Sequence, residues 1–167
     1  MPTKAVLAGL NEQIAKEFAA AHLYLAMAAY FDLNNLPGFA HWMRLQHQEE
    51  TAHALRLFDY LLGRGAQVEL NEIPKPPASF KSPLDVLERA LAHEQKVTAS
   101  INTLYEIASK AKDYPTELQL QWFITEQVEE EKTFGELVAR VRMAGSDGAA
   151  LIFLDRELGA RAAAPEA

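Results

Sequence analysis

Apolar residues recur every three or four positions along four long stretches of the chain, which is the spacing of one face of an α-helix. The first such face reads Leu7, Leu10, Ile14, Glu17, Ala21, Tyr24, Ala28 and Phe31. Equivalent faces occupy residues 39–60, 84–108 and 120–144. The pattern predicts an all-α protein in which four long helices each bury one face.

Turn-forming residues separate these helices and indicate how they are connected. Residues 34–38, Asn-Asn-Leu-Pro-Gly, break the first helix from the second, and so short a connection makes the two antiparallel. The second helix ends near Gly63 and is followed by an irregular segment that contains Pro74, Pro76 and Pro77. A connection of this length generally runs along the whole bundle. We therefore expect a long crossover and a third helix parallel to the second.

The second half of the chain contains the remaining helices and a tail. Ser82 suits the N-cap of a third helix over about 83–112, and proline suits the first position of that helix. A fourth helix is predicted for 115–145 and a short fifth helix for about 149–160. The final residues, 161–167, are rich in alanine and are predicted to fray.

The composition is that of one globular domain without thiol chemistry. With 167 residues and 49% hydrophobic content, a single domain over 1–167 is expected, with the bundle at about 3–145. The net charge of -7 argues against binding to nucleic acids or to anionic membranes. The absence of cysteine excludes disulfides, iron-sulfur ligation and thiol nucleophiles. Since no apolar run reaches the ~20 residues of a membrane span and no signal peptide is recognisable, a soluble cytoplasmic protein is predicted.

Each of the four apolar faces is interrupted near mid-helix by a carboxylate, and one of them also by a histidine. These residues are Glu17, Glu50, His53, Glu94 and Glu130. Burying several carboxylates costs several kcal/mol per ion, more than the roughly 2 kcal/mol that a buried leucine contributes. Because no lysine or arginine shares their layer, a bound metal ion is the predicted counter-charge. Ligation by many oxygens and one nitrogen favours iron or manganese over structural zinc.

Glu50 and His53 are three residues apart and lie on one helix face. With this spacing, a helix in a bundle can present a carboxylate and an imidazole to the same ion. Alone, the spacing recurs by chance, and a single mid-face glutamate is more often a satisfied core polar group than a ligand. Four such interruptions at one level are improbable by chance. For Tyr24 and Trp122, simple packing is the plainer interpretation.

Further polar residues lie beside the predicted layer. Gln127 could donate a hydrogen bond to a ligand or act as a weak ligand itself. Glu126 and Glu129 are three apart on a face that adjoins Glu130, and Glu49 neighbours Glu50. An acidic run of this kind is ordinarily a solvated face, but Glu49, Glu126 and Glu129 could hold another cation just outside the central pair.

Several motifs together resemble those of the ferritins, most closely the haem-free bacterial ferritins, over essentially the whole chain. They comprise Glu17 with Tyr24, Gln48-Glu49-Glu50-Thr51-Ala52-His53, His93-Glu94-Gln95, Asp113-Tyr114-Pro115-Thr116, Gln121-Trp122-Phe123, residues 126–132 and residues 154–158. The resemblance implies a ferritin-like four-helix bundle with a long crossover between helices 2 and 3 and a short fifth helix at the C-terminus.

The resemblance also implies a di-iron centre inside each bundle. One iron would be bound by Glu17, Glu50 and His53, and the second by Glu50, Glu94 and Glu130, so that Glu50 bridges the two. Gln127 would lie close by, and Tyr24 matches the tyrosine beside the centre. The extra outer iron site of the bacterial members is matched by Glu49, Glu126, Glu129 and Glu130.

What the resemblance implies for function is iron storage coupled to ferroxidase activity. The chain would oxidise Fe(II) with O2 or H2O2 and keep ferric mineral inside a homo-oligomeric shell of 24 subunits with 432 symmetry, whose fifth helices meet at the fourfold axes. Haem is not expected, because Thr51 stands where bacterioferritins place a haem-ligating methionine and residues 129–133 contain no histidine.

Two other classes of function stay open at this point. In a structural or partner-binding bundle, the polar layer would only set the register of the helices. In a related di-metal oxidase or peroxide scavenger, the same centre would act without storage, and the particle would be a dimer instead of a shell.

Overall fold

A computed structural model of the protein describes residues 1–163. The described residues form helices and connections without a β-strand. The helices are α1 (Lys4–Leu33), α2 (Pro37–Gly63), α3 (Pro83–Lys110), α4 (Tyr114–Ala144) and α5 (Gly148–Gly159). This architecture confirms the predicted all-α bundle with its long crossover and short fifth helix. None of the helices in residues 1–163 is long and apolar enough to cross a membrane.

Side chains just outside the helices fix where most of them begin. The Thr3 hydroxyl accepts a hydrogen bond from the first turn of α1, and the Ser82 hydroxyl accepts one from the Asp85 N–H of α3 at 3.1 Å. Helix α2 differs, because Leu36 at its N-cap has no side chain that can accept. Its first turn is capped instead from α5, where the Asp155 carboxylate accepts the Phe39 N–H at 2.9 Å.

Two apolar clusters show how the helices are oriented. One cluster joins the start of α1 and α4 to the end of α2 and α3, and the other joins the opposite ends and also contains α5. Helices α2 and α3 therefore run parallel, as predicted. The crossover spans the bundle, since Ala66 packs in the first cluster and Phe80 against the second. The polar layer lies between the two clusters.

Helix α5 folds back on its own bundle and approaches the start of α2 very closely. Leu154 and Leu158 are buried in the second cluster, whereas Phe153 is 67% exposed. Gly38 makes this approach possible, because a Cβ atom at that position would lie 1.6 Å from the Asp155 carbonyl oxygen. The docked position of α5 thus depends on a residue without a side chain.

The predicted frayed tail, 161–167, falls largely outside the described residues. Of its described part, Arg161 is held against α2. The Arg161 carbonyl oxygen lies 2.8 Å from His41 Nε2, and the guanidinium donates to Gln46 and Glu49. Arg161 therefore contacts α2 just beyond the end of α5.

Candidate metal centre

The structure brings the five mid-helix residues together in one buried layer. Two groups of potential ligand atoms form there, and within each group all atoms lie within 4.8 Å of one another. The first group is Glu17, Glu50 and His53, and the second is Glu50, Glu94 and Glu130. Glu50 belongs to both groups, so one buried carboxylate is shared between them.

Four atoms of this layer are buried without any hydrogen-bond partner in the described chain. They are Glu17 Oε2, both carboxylate oxygens of Glu50, and His53 Nδ1. Glu50 Oε2 lies 3.5 Å from His53 Nδ1. Unpaired buried polar atoms are costly and rare in native proteins. All four atoms belong to residues of the first group, so this group has unpaired donors and acceptors that could bind a metal ion.

Glu17 is oriented by a series of hydrogen bonds between side chains that leads toward the surface. Gln13 Nε2 donates to Glu17 Oε1 at 2.7 Å, which leaves Oε2 free. The side-chain oxygen Gln13 Oε1 accepts a hydrogen bond from Ser100 Oγ at 2.6 Å, and Lys16 Nζ donates to the same Ser100 hydroxyl at 2.8 Å. Sequence reasoning did not identify Gln13. Its position four residues before Glu17 was the available signal, since such pairs are neighbours on a helix.

The two remaining glutamates are held by neutral donors. The Tyr24 hydroxyl donates to Glu94 Oε1, and Gln127 Nε2 donates to Glu94 Oε2 at 3.0 Å. Gln46 Nε2 donates to Glu130 Oε2, also at 3.0 Å. Of the two roles left open for Gln127, hydrogen bonding to a potential ligand is the one that these contacts favour.

Burial shifts the protonation of the whole layer. It raises the pKa of Glu17 to about 7, although the Gln13 hydrogen bond opposes the shift. Burial and the charge of Glu94 raise the pKa of Glu130 to about 8, and the pKa values of Glu50 and Glu94 are also raised, chiefly by burial. Desolvation lowers the pKa of His53 to about 4. At neutral pH, and without a bound metal ion, carboxyl groups of the layer therefore retain protons while the His53 imidazole is neutral.

Metal binding is expected to release more protons at about pH 6 than at about pH 8.5. A carboxyl group whose pKa is raised in the folded protein still holds its proton below that pKa, and a metal ion must displace it. For Glu17 and Glu130 this applies below about 7 and 8 respectively, and the release falls as the pH rises through those values. Calorimetric titration with Co(II) in buffers of different ionisation enthalpy measures the protons released. Equal release at both pH values would contradict the raised pKa values.

The outer carboxylates, Glu49, Glu126 and Glu129, line an open cavity of ≈ 1020 Å³ between α2 and α4. Glu130 reaches the same cavity, so the outer and central residues adjoin. Burial, with the charges of Glu49 and Glu129, raises the pKa of Glu126. Within residues 1–163, however, the outer carboxylates do not form a group whose ligand atoms all lie within 4.8 Å of one another. Glu49 Oε1 instead accepts a hydrogen bond from Arg161 at 2.7 Å.

Comparison with known proteins places most of the chain in one family. The family model described as Ferritin-like domain matches residues 7–144. A bacterial non-heme ferritin of Staphylococcus haemolyticus is 43% identical over 161 residues, which are 96% of this chain and 97% of that protein. A bacterial non-heme ferritin of Bacteroides fragilis is 40% identical over 152 residues, which are 91% of this chain and 94% of that one.

Solved structures agree with the sequence relatives. The open pore ferritin of the hyperthermophilic archaeon Archaeoglobus fulgidus superposes with a TM-score of 0.96 at 43% identity, over 97% of this chain and 100% of that chain. A closed form of the same ferritin, engineered by site-directed mutagenesis, gives 0.95 at 44% identity, over 97% and 99%. The chain therefore belongs to the ferritin family of iron-storage proteins.

Proposed function

We propose that this chain is a cytoplasmic ferroxidase that oxidises Fe(II) at a di-iron centre within each bundle and stores the ferric product in a shell of 24 identical subunits with 432 symmetry. The observation that carries the proposal is the position of Glu50, which is shared by two groups of ligand atoms and has both oxygens free of hydrogen bonds. A bridging carboxylate needs this arrangement.

Iron is the substrate of the proposed reaction. Glu17, Glu50 and His53 would hold one Fe(II), and Glu50, Glu94 and Glu130 the other. Two adjacent ferrous ions can transfer two electrons to O2, which takes up two protons and becomes H2O2, or to H2O2, which takes up two protons and becomes two molecules of water. Carboxylates stabilise the resulting Fe(III) but leave exchangeable positions, so the product can depart.

Hydrogen bonds from neutral side chains would keep the ligands in place during turnover. Gln13 fixes Glu17, Gln46 fixes Glu130, and Tyr24 with Gln127 fixes Glu94. Such donors leave the carboxylates their negative charge, which a lysine or arginine in the same positions would offset. The Tyr24 phenol, one hydrogen bond from Glu94, is also the proposed source of an additional electron.

The storage part of the proposal predicts how much iron the protein keeps. After anaerobic Fe(II) loading and a pulse of O2, we expect the wild type to retain well over two iron atoms per chain. The double variant Glu50→Ala, His53→Ala should oxidise Fe(II) slowly, because the bridging ligand and the imidazole are lost. The measurement is iron content by absorbance and metal analysis after gel filtration.

Two outcomes would limit or reject the proposal. If oxidation is fast but stops at about two irons per chain, the centre is an oxidase without storage. If the double variant oxidises iron as fast as the wild type, the layer is not the reaction site.

A further inference from the structure

We propose that Arg161 is an internal cation that competes with metal ions for the outer carboxylates and so controls when a third ion binds beside the di-iron centre. The inference rests on the proposed function, because it concerns an ion that adjoins that centre. It adds to that function a residue from the C-terminal tail that acts on metal occupancy.

The guanidinium of Arg161 occupies the place that a cation at Glu49 would need. Its Nη2 donates to Glu49 Oε1 at 2.7 Å, and its Nη1 donates to Gln46 Oε1, also at 2.7 Å. Hydrogen bonds between a guanidinium and a carboxylate are short and about twice as strong as neutral ones. Glu49 is therefore already paired with a positive charge before any metal ion arrives.

Arg161 is fixed in this position by three further features of its surroundings. Its carbonyl oxygen lies 2.8 Å from His41 Nε2, its guanidinium lies over the ring of Trp42 at 5.2 Å, and α5 is docked just before it. The side chain is only 28% exposed. These contacts already restrict the Arg161 side chain, so pairing with Glu49 costs it little further conformational entropy. The ion pair is therefore stronger than one formed by a mobile surface arginine.

The same arginine is connected to the di-iron layer through one amide. Gln46 accepts from Arg161 with Oε1 and donates with Nε2 to Glu130 Oε2 at 3.0 Å. This orientation of the amide lets it satisfy both neighbours at once. When Arg161 leaves, Gln46 loses the partner that sets its orientation, and Glu130, which already lines the cavity, is held less firmly by the Gln46 amide.

The other arginine that lines the cavity, Arg56, opposes the rise in the pKa of Glu126 through its charge, but it does not pair with Glu49 as Arg161 does. Arg56 lies over the ring of Trp122 at 4.0 Å from its centroid and forms no ion pair with Glu49 or Glu126 in the described chain. Removing the charge of Arg161 therefore leaves Glu49 without a bound cation. A divalent ion then need not break the two hydrogen bonds of the guanidinium before it binds.

Co(II) binding by anaerobic calorimetry tests the proposal on the assembled protein. We expect two classes of Co(II) site that differ in affinity. The tighter class is assigned to the central layer and should be lost in the double variant Glu50→Ala, His53→Ala. The weaker class is assigned to the outer carboxylates. Arg161→Met keeps the apolar stem over Trp42 but removes the charge. We expect this variant to bind Co(II) at the weaker class about tenfold more tightly, because the ion no longer has to displace the one charge-assisted hydrogen bond that Arg161 donates to Glu49.

Two further variants make the result specific. Arg161→Lys keeps the positive charge and should stay close to the wild type. Arg156→Met removes the same charge from an exposed position on α5 and should leave both classes unchanged. Particle size by light scattering verifies that each variant is folded and assembled.

The outcomes separate this inference from the proposed function. If the wild type and the Arg161 and Arg156 variants all keep the tight class, and Arg161→Met binds the weaker class as the wild type does, the role of Arg161 is overturned while the di-iron centre stands. Equal tightening in Arg156→Met would also overturn it, because the effect would then be one of total charge. The absence of a tight class in the wild type would reject the di-iron centre and this inference together.

Discussion

Replacing Glu50 with leucine is expected to stabilise the metal-free protein and at the same time slow Fe(II) oxidation at least about 100-fold. The two effects have one cause. Glu50 is fully buried, both of its oxygens lack hydrogen-bond partners in the described chain, and three other carboxylates surround it. A leucine of similar size removes this unfavourable burial. It also removes the only residue shared by the two ligand groups.

Stopped-flow absorbance measures the rate, and thermal unfolding of the chelator-treated protein measures stability. Glu50→Gln keeps the shape of the side chain and should slow Fe(II) oxidation to a similar extent. Such a result would show that the carboxylate charge, and not the side-chain shape, is required. Glu131→Gln, beside the layer but in neither ligand group, should retain the rate of the wild type. If Glu50→Leu gains stability and still oxidises iron normally, the layer only sets helix register.

A methyl group at Gly38 is expected to displace α5 and to destabilise the subunit by at least about 3 kcal/mol. The Cβ would lie 1.6 Å from the Asp155 carbonyl oxygen, and a backbone atom cannot move aside as a side chain can. When α5 moves away, the burial of Leu154 and Leu158 is lost, and α2 loses the carboxylate that caps Phe39.

The matched control is Gly135→Ala in the middle of α4, where a Cβ would meet nothing within 4 Å. There the alanine should stabilise by roughly 0.5–1 kcal/mol, because glycine is a poor helix former. Thermal unfolding and light scattering distinguish the variants. If Gly38→Ala has the stability and particle size of the wild type, the contact between α5 and α2 is not needed for the fold.

The sequence predicted the helices and the central layer because both depend on periodicity. Glu17 and Glu94 could be placed at one level by counting along helices whose ends are marked by proline, glycine and N-cap residues. Gln13 was missed because it lies beside the apolar face and becomes buried only when Ser100 of α3 packs against it. A period of 3.6 identifies the direction of a side chain but not what the neighbouring helix places there.

Contacts of long sequence separation were beyond such reasoning. Asp155 caps a helix that begins 116 positions earlier along the chain, and Arg161 binds Glu49 across 112 positions. Neither contact leaves a local pattern, because each depends on how α5 docks. The alanine-rich surroundings of Arg161 pointed instead to a frayed tail. The outer carboxylates could be identified by type, but their pairing with a tail residue could not.

The division of the core into two apolar clusters separates the scaffold of this protein from its chemistry. Each cluster joins all four long helices, and the ligands lie between the clusters. The candidate ligands touch the clusters at a few residues, such as Tyr24 against Glu94 and Phe123 against His53. Most residues of each cluster lie away from them, and changes at distant sites contribute to stability nearly independently. Selection, or a protein engineer, can therefore adapt the preference of the proposed centre for a particular ion while the bundle that supports it stays the same.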